Sequence, residues 1–171
     1  MYCERHLQDV LKSLPEYKQT DYENAFIKCF IEMDRLLGSA DGKKEMIEIN
    51  KNSNTRQSPL MQILKGDQSG GESGPDDLTL DAKGCTANCV MIIKDTIYCA
   101  NAGDSRAVIC NGEGQAENLS EDHKPDNKGE KDRIYKAGST VSEGRVDGNL
   151  NLSRSIGDLK HKQVPGLSPA E

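Results

Sequence analysis

The sequence predicts an α+β fold in a single domain that spans residues 1–171. Three observations lead to this class. Helical periodicity fills much of 2–37, short β-prone runs follow within 85–110, and helical and strand patterns return within 128–152. Because helices and strands come in blocks and do not alternate one for one, we expect packed layers with antiparallel strands and not βαβ winding.

Two N-terminal helices are predicted from stripes of apolar residues. Residues 2–14 carry apolar side chains three and four positions apart, and Pro15 ends this pattern. A second stripe predicts a helix from Asp21 to Leu37, with Thr20 as its N-cap and Gly38 ending it in a left-handed turn. We expect the two helices to lie antiparallel and to cover one face of a larger structure.

The helical signal weakens between residues 41 and 64. Apolar residues within 46–49 fit a short helix, and those within 60–64 fit another. Residues 66–82 are rich in Gly, Ser and Asp and carry little that a core would bury. This composition predicts an acidic, mobile loop within the domain.

Three β-prone runs follow this loop: Cys85–Ile93, Thr96–Asn101 and Arg106–Cys110. They are separated by Lys94-Asp95 and by Gly103-Asp104, which are turn sequences, so we expect an antiparallel meander. The elements predicted after it are a helix over Lys128–Ala137, capped by Asp126 or Asn127 and closed by Gly138, and a strand over Ser139–Ser142.

Composition excludes several classes of function. The net charge is −6 and no cluster of Lys and Arg stands out, which argues against a nucleic-acid partner. No apolar run reaches the ~18 residues of a membrane span, and the N-terminus lacks a signal-peptide pattern, so we expect a cytoplasmic or nuclear protein without a membrane partner. P-loop, nucleophile-elbow and EF-hand motifs are missing.

The six cysteines contain no Cys-x-x-Cys pair. Cys85 and Cys89 have the same parity on the first predicted strand, so both should face one side of it. We expect reduced, buried thiols, with disulfides or a zinc site as the alternatives.

Three local features could carry chemistry. Asp104, in a tight turn between strands, is placed either to bind a cation or to bond its own backbone. His123 could act as a general acid or base, or as a structural loop histidine. Arg145 and Arg154 lie in a segment of loop and strand pattern, where guanidinium groups either bind phosphate or form salt bridges.

Five linked segments together resemble the PP2C (PPM) family of protein phosphatases, in order and in spacing. They are Gly84-Cys85-Thr86-Ala87, 100–108 with Gly-Asp-Ser-Arg at its centre, Asp122-His123-Lys124-Pro125, 133–141, and 145–158. The first helix also fits the family. The Asn-Leu-Ser-Arg segment at 151–154 and the preceding acidic loop most resemble the gamma type of metazoan PP2C and its protist relatives.

The resemblance implies an α-β-β-α sandwich, in which two antiparallel sheets are flanked by helix pairs and which is incomplete in this chain. It implies hydrolysis of phosphoserine and phosphothreonine in protein substrates, with paired Mn²⁺ or Mg²⁺ ions activating a water. Asp104 falls on the family's ligand of a third, weaker metal site. Arg145, Arg154 and Asp158 fall in or beside the flap region, which contacts substrate or supports the site.

The family's main metal ligands lie in an Asp-Gly-His-Gly-Gly motif before the first helix and in later Asp-Gly and Asp-Asn motifs. None of the three is expected in this chain, because Asp41-Gly42 opens a weak helix and Asp147-Gly148 belongs to the flap segment. The family's catalytic histidine belongs to the first motif, so His123 does not inherit its role. The isolated chain is therefore expected to be inactive, because one carboxylate cannot hold two divalent cations. The alternatives are a non-catalytic relative that binds a protein partner and a structural subunit.

Overall fold

The computed structural model describes residues 1–54 and 80–167. The α-helices whose bounds fall within these residues are α1 Tyr2–Ser13, α2 Pro15–Lys18, α3 Tyr22–Gly38, α4 Ala40–Asn54 and α5 Lys128–Lys136. A short 3₁₀ helix covers Leu159–His161. Within the described residues, no helix is both long enough and apolar enough to cross a membrane.

The ends of the first helices follow from local chemistry. Leu14 is extended before Pro15, and Pro15 begins α2, so proline ends α1 as predicted. The predicted caps of α3 are wrong. Asp21 is its N-cap and accepts the backbone N–H of Asn24, whereas Thr20 is left-handed with φ 63°.

Gly38 is the last helical residue of α3 and does not adopt the predicted left-handed turn, because the extended residue Ser39 is the C-cap. Ser39 then starts the next helix: its Oγ accepts the backbone N–H of Gly42 at 3.1 Å. This cap fixes where α4 begins, and the helix runs for 15 residues, much longer than the short helix that its apolar residues predict.

In the described part of the chain, eight short strands form four antiparallel ladders. The strands are β1 Gly84–Cys85, β2 Ala87–Ile93, β3 Thr96–Ala102, β4 Val108–Cys110, β5 Ala116–Asn118, β6 Val141–Ser142, β7 Arg145–Val146 and β8 Ile156–Gly157. Their pairs are β1 with β8, β2 with β3, β4 with β5, and β6 with β7. The two-residue turn at Lys94-Asp95 is confirmed by the register, which pairs Ile93 with Thr96.

The predicted three-stranded meander is wrong. β4 forms its ladder with β5, which was not predicted, and not with β3. The predicted run Cys85–Ile93 is divided at Thr86, because Cys85 pairs with Ile156 of β8 while Ala87 begins the hairpin with β3. Cys85 and Cys89 therefore lie on different strands.

The core lies between α1, α3 and one face of the β2–β3 hairpin. Phe26, Cys29 and Met33 of α3 are buried there, and Met91 and Tyr98 of the hairpin pack against them. Each fully buried side chain of this size contributes about 1.5–3 kcal/mol through the removal of apolar surface from water. Helices packed on antiparallel strands are the predicted α+β class.

Several predictions concern residues beyond the described ranges. The helix over 60–64 and most of the loop over 66–82 lie outside them and stay predictions. Leu80 and Asp81 at the loop's end are described, and both are buried. Asp81 pairs with Lys43 of α4 at 3.3 Å.

Asn127, one of the two predicted residues, occupies the N-cap position of α5, but its side chain makes no capping bond and donates instead to the Asp122 carbonyl at 2.8 Å. The helix closes at Gly138 with φ 86°, as predicted. The strand predicted over Ser139–Ser142 is shorter, because only Val141 and Ser142 pair, with β7.

All six cysteines are free thiols. Cys29 is buried as predicted, Cys85 and Cys110 are exposed, and the other three are half-buried. The prediction of buried thiols is therefore wrong at Cys85 and Cys110, because both belong to strands of two or three residues with few neighbours.

Candidate functional site

The turn that carries Asp104 is built on a pair of asparagines that sequence reasoning missed. Asn88 and Asn101 face each other across β2 and β3, and the Asn88 amide donates to the Asn101 Oδ1 at 3.0 Å. Asn101 in turn donates to the carbonyls of Gly103 at 3.0 Å and Glu121 at 2.7 Å. The signal in the sequence is one Asn in each of the β-prone runs Cys85–Ile93 and Thr96–Asn101, where an apolar or β-branched residue is the usual choice.

Gly103 is required at this turn. Its φ is 116°, and a Cβ here would lie 2.5 Å from Cγ2 of Thr86. The hydroxyl of Thr86 lies 2.8 Å from that of Ser105, within hydrogen-bonding distance. The backbone on both sides of Asp104 is thereby held in one position.

Asp104 forms an ion pair with Lys124 from the loop before α5. Asp104 was predicted either to bind a metal cation or to bond its own backbone. The structure shows its carboxylate paired with an ammonium group, and its role as a metal ligand stays a prediction. The positive charge is supplied by the chain itself.

His123 binds the same turn through its backbone and its ring. Its N–H donates to the Gly103 carbonyl at 2.9 Å, and its Nδ1 accepts the Gly103 N–H at 3.2 Å. Burial lowers the pKa of His123, and the nearby Arg154 lowers it further. The neutral ring with a proton on Nε2 suits this geometry, so His123 holds the turn in the structural role that the sequence left open.

Arg154 is held by a buried carboxylate, Glu130 of α5. The Arg154 Nε lies 3.0 Å from Glu130 Oε2, and its Nη2 lies 2.7 Å from Oε1. Arg133, one turn further along α5, donates to Oε2 at 2.8 Å. Burial alone would raise the pKa of Glu130, but the hydrogen bonds from Arg154 and Arg133 together lower it to about 2.

Asp158 is buried in a second cluster, which joins the helical layer to β8. It has φ 50°, and its backbone N–H donates to the carbonyl of Lys83 at 2.8 Å. Its carboxylate lies so close to Gly84 that a Cβ there would be 2.1 Å from Oδ2. The glycine of the Gly-Cys-Thr segment is thus needed for the approach of Asp158.

Asp34 of α3 anchors this cluster and was not predicted. Its Oδ1 accepts the backbone N–H of Gly157 at 2.7 Å, and its other oxygen pairs with Lys162. Lys162 also donates to the carbonyl of Ser155 at 2.7 Å. The signal for Asp34 is an acidic residue four positions after Phe30, inside the apolar stripe of α3.

The four predicted site residues are brought together only in part. Arg154 and Asp158 line one open groove of about 400 Å³, whereas Asp104 and Arg145 lie outside it. Arg145 is exposed and donates to the carbonyl of Asn149 at 2.7 Å.

The metal chemistry implied by the resemblance can be tested on the donors present. Within residues 1–54 and 80–167, no group of three or more His, Cys, Asp and Glu side chains is placed to hold a metal ion. Asp104 offers a carboxylate, and Lys124 already neutralises it. The described residues alone therefore do not fit a two-cation centre, since each ion needs several oxygen ligands.

Comparison with known proteins agrees with this fold and these motifs. The sequence model of the family "Protein phosphatase 2C" matches residues 40–170. The chain is 40% identical to "Probable protein phosphatase 2C 3" of Paramecium tetraurelia over 99% of its own length and 48% of that protein. It is 38% identical to "Probable protein phosphatase 2C 21" of Arabidopsis thaliana over 95% of its length and 48% of that protein.

Among solved structures, the chain is similar to one described as "Crystal structure of a phosphatase from a pathogenic strain Toxoplasma gondii". The TM-score is 0.51 at 22% identity, and the match covers 98% of this chain and 55% of that one. This likeness confirms the predicted fold class, a partial α+β phosphatase fold.

The fold and the match to the family model over residues 40–170 thus define a domain of the protein-phosphatase type. The chain belongs to the protein phosphatase 2C family. It spans about half the length of the curated relatives that it matches.

Proposed function

We propose that this chain is a segment of a Mn²⁺- or Mg²⁺-dependent protein serine/threonine phosphatase, which hydrolyses phosphoserine and phosphothreonine in protein substrates. The observation that carries the proposal is 40% identity to a PP2C relative over 99% of the chain. The metal ions, when bound to the complete set of ligands, would supply an activated water. The non-catalytic alternative has no specific observation in its favour.

Asp104 is proposed as a ligand of a third, weaker metal site. Its support is the turn geometry: Gly103 and the two asparagines fix the backbone, and the carboxylate already faces a cation, Lys124. A divalent ion at Asp104 would have to displace Lys124, which is consistent with weak binding.

Arg154 is proposed to contact substrate, with Asp158 and Arg145 supporting the flap around it. A guanidinium has five N–H donors, and Nε and Nη2 of Arg154 supply at most three of them to Glu130. The other donors lie on Nη1, which faces away from the atoms that pair with Glu130. Glu130 thus orients Arg154 without using all of its capacity to bind a phosphate oxygen.

Further parts of the proposal rest on the sequence alone. We place the chain nearest the gamma type of PP2C and its protist relatives, a choice supported by the segment 151–154 and by the Paramecium proteins at 40% identity. We propose a cytoplasmic or nuclear location. We also propose that the chain has no nucleic-acid partner, because its net charge is −6.

The test compares two purified samples: residues 1–171 alone and the native gene product that contains them. Both are assayed for release of phosphate from a phosphothreonine peptide with Mn²⁺ and after removal of the metal with a chelator. We expect metal-dependent turnover from a native product that carries the missing ligand motifs, and none above background from residues 1–171. Activity of the isolated chain would overturn its predicted inactivity.

If such a native product binds the peptide but does not hydrolyse it, the result would favour a non-catalytic relative instead.

The role of Asp104 is tested in the same native product. Asp104→Asn should raise the Mn²⁺ concentration needed for half-maximal activity, while the matched change Asp95→Asn, in the exposed hairpin turn, should leave it unchanged.

A further inference from the structure

The thiols of Cys3 and Cys85 lie side by side although 82 positions separate them in the chain. Their Sγ atoms are 3.7 Å apart, which is van der Waals contact between sulfurs. Cys3 is in the first turn of α1, and Cys85 ends the two-residue strand β1. The packing of the helical layer on β1 is what brings them together.

Both thiols lie where small movements are easy. A disulfide needs its sulfurs about 2.05 Å apart, so closure requires an approach of roughly 1.6 Å. Rotation about the two χ1 angles and fraying of the first helical turn can supply this movement. Cys85 is exposed and Cys3 is half-buried, so a small oxidant reaches Cys85 first.

The surroundings divide the two thiols into a nucleophile and a proton donor. The contact with Cys3 lowers the pKa of Cys85, and the amino terminus lowers it too, against the opposing effects of desolvation and of the Asp158 and Asp34 carboxylates. The same contact, together with desolvation, raises the pKa of Cys3. Cys85, which is also the more exposed of the two, is therefore the thiol of the pair that loses its proton more readily.

We propose that Cys3 and Cys85 form a peroxide-responsive dithiol site that closes to a disulfide. The Cys85 thiolate attacks one oxygen of hydrogen peroxide, so that the S–O bond forms as the O–O bond breaks, and the departing hydroxide takes a proton to become water. Cys3 then gives up its proton and attacks the Cys85 sulfur. The S–S bond forms, the S–O bond breaks, and a second water leaves.

The electrons balance in this sequence. Two thiols together lose two electrons and two protons, and one peroxide is reduced to two waters. The bond would fasten α1 to the β1–β8 ladder, to which α3 is already joined by the hydrogen bond between Asp34 and Gly157. The disulfide therefore acts on the ladder that carries Asp158.

The test is oxidation of the purified chain with hydrogen peroxide, followed by alkylation of the remaining thiols and peptide mapping by mass spectrometry. Of six free thiols, two should be lost to one disulfide, which leaves four to alkylate (6 − 2 = 4). The mapped link should join Cys3 to Cys85 within one chain. A link between other cysteines, or between chains only, would overturn the proposal.

Single substitutions separate the two roles. In Cys3→Ser the disulfide should be lost, and Cys85 should accumulate as a sulfenic acid that dimedone labels. In Cys85→Ser neither the link nor dimedone labelling of Cys3 should appear. The matched control Cys110→Ser removes the other exposed thiol and should leave the link unchanged. Dimedone labelling of Cys110 ahead of Cys85 in Cys3→Ser would refute the assignment of Cys85 as the nucleophile.

Discussion

Glu130 is expected to stabilise the fold through its charge, and the substitution Glu130→Gln tests this. The carboxylate is 8% exposed and receives both Arg133 and Arg154. The difference between its ordinary pKa of 4.5 and about 2 in the fold corresponds to about 3 kcal/mol. Arg154 is 41% exposed, and solvent therefore screens part of its interaction with Glu130. We expect the loss in the free energy of unfolding on Glu130→Gln to be about 2–3 kcal/mol at pH 7.

The sign of the pH dependence follows from the lowered pKa. A carboxyl group whose pKa is depressed by folding contributes its full stability above about pH 4.5 and loses it as the pH falls through about 2. At pH 3 more than half of the contribution should be lost. Glu130→Gln carries no such group, so its stability should fall less over the same interval.

The assay is urea unfolding of both proteins at pH 7, pH 5 and pH 3, with the free energy of unfolding extrapolated to water. Glu113→Gln, in the exposed turn between β4 and β5, is the matched control and should behave as the wild type. The reasoning is refuted if the difference between wild type and Glu130→Gln is the same at pH 7 and pH 3, or if it is below about 0.5 kcal/mol at pH 7.

Three further substitutions probe the core, the turn and the buried anchor. Met33→Ala removes a fully buried side chain and should lower the free energy of unfolding, measured in urea, by about 2–5 kcal/mol. A decrease below about 1 kcal/mol would mean that this part of the core is loosely packed. Gly103→Ala should lower the free energy of unfolding by at least about 2 kcal/mol, because φ is 116° and the new methyl group would overlap Thr86. In the matched control Gly112→Ala the methyl group enters open space, so the free energy of unfolding should change by less than about 0.5 kcal/mol. Asp34→Asn should cost about 3 kcal/mol in the free energy of unfolding, because it leaves the Lys162 ammonium without its counter-charge. The added change Lys162→Met should recover part of that loss. If Lys162→Met has the same effect in the wild type as in Asp34→Asn, the pair is not coupled.

The sequence alone determined the features that depend on neighbouring residues. The apolar stripe of α3, the break at Pro15, the two-residue turn at Lys94-Asp95 and the closing glycine of α5 at Gly138 are all local, and all were predicted. The order and spacing of the family's motifs likewise identified the fold class. A run of residues fixes such features because φ and ψ preferences and hydrophobic periodicity act over a few positions.

The tertiary structure alone decided which groups meet. Asp34 and Lys162 are 128 positions apart, and Arg154 and Glu130 are 24 apart, so no local pattern pairs them. The same holds for Cys3 and Cys85, whose contact exists only because α1 packs beside β1. A carboxylate, a guanidinium or a thiol has the same intrinsic chemistry in any sequence, and its charge state and reactivity follow from burial and from the partners that folding brings within a few ångströms.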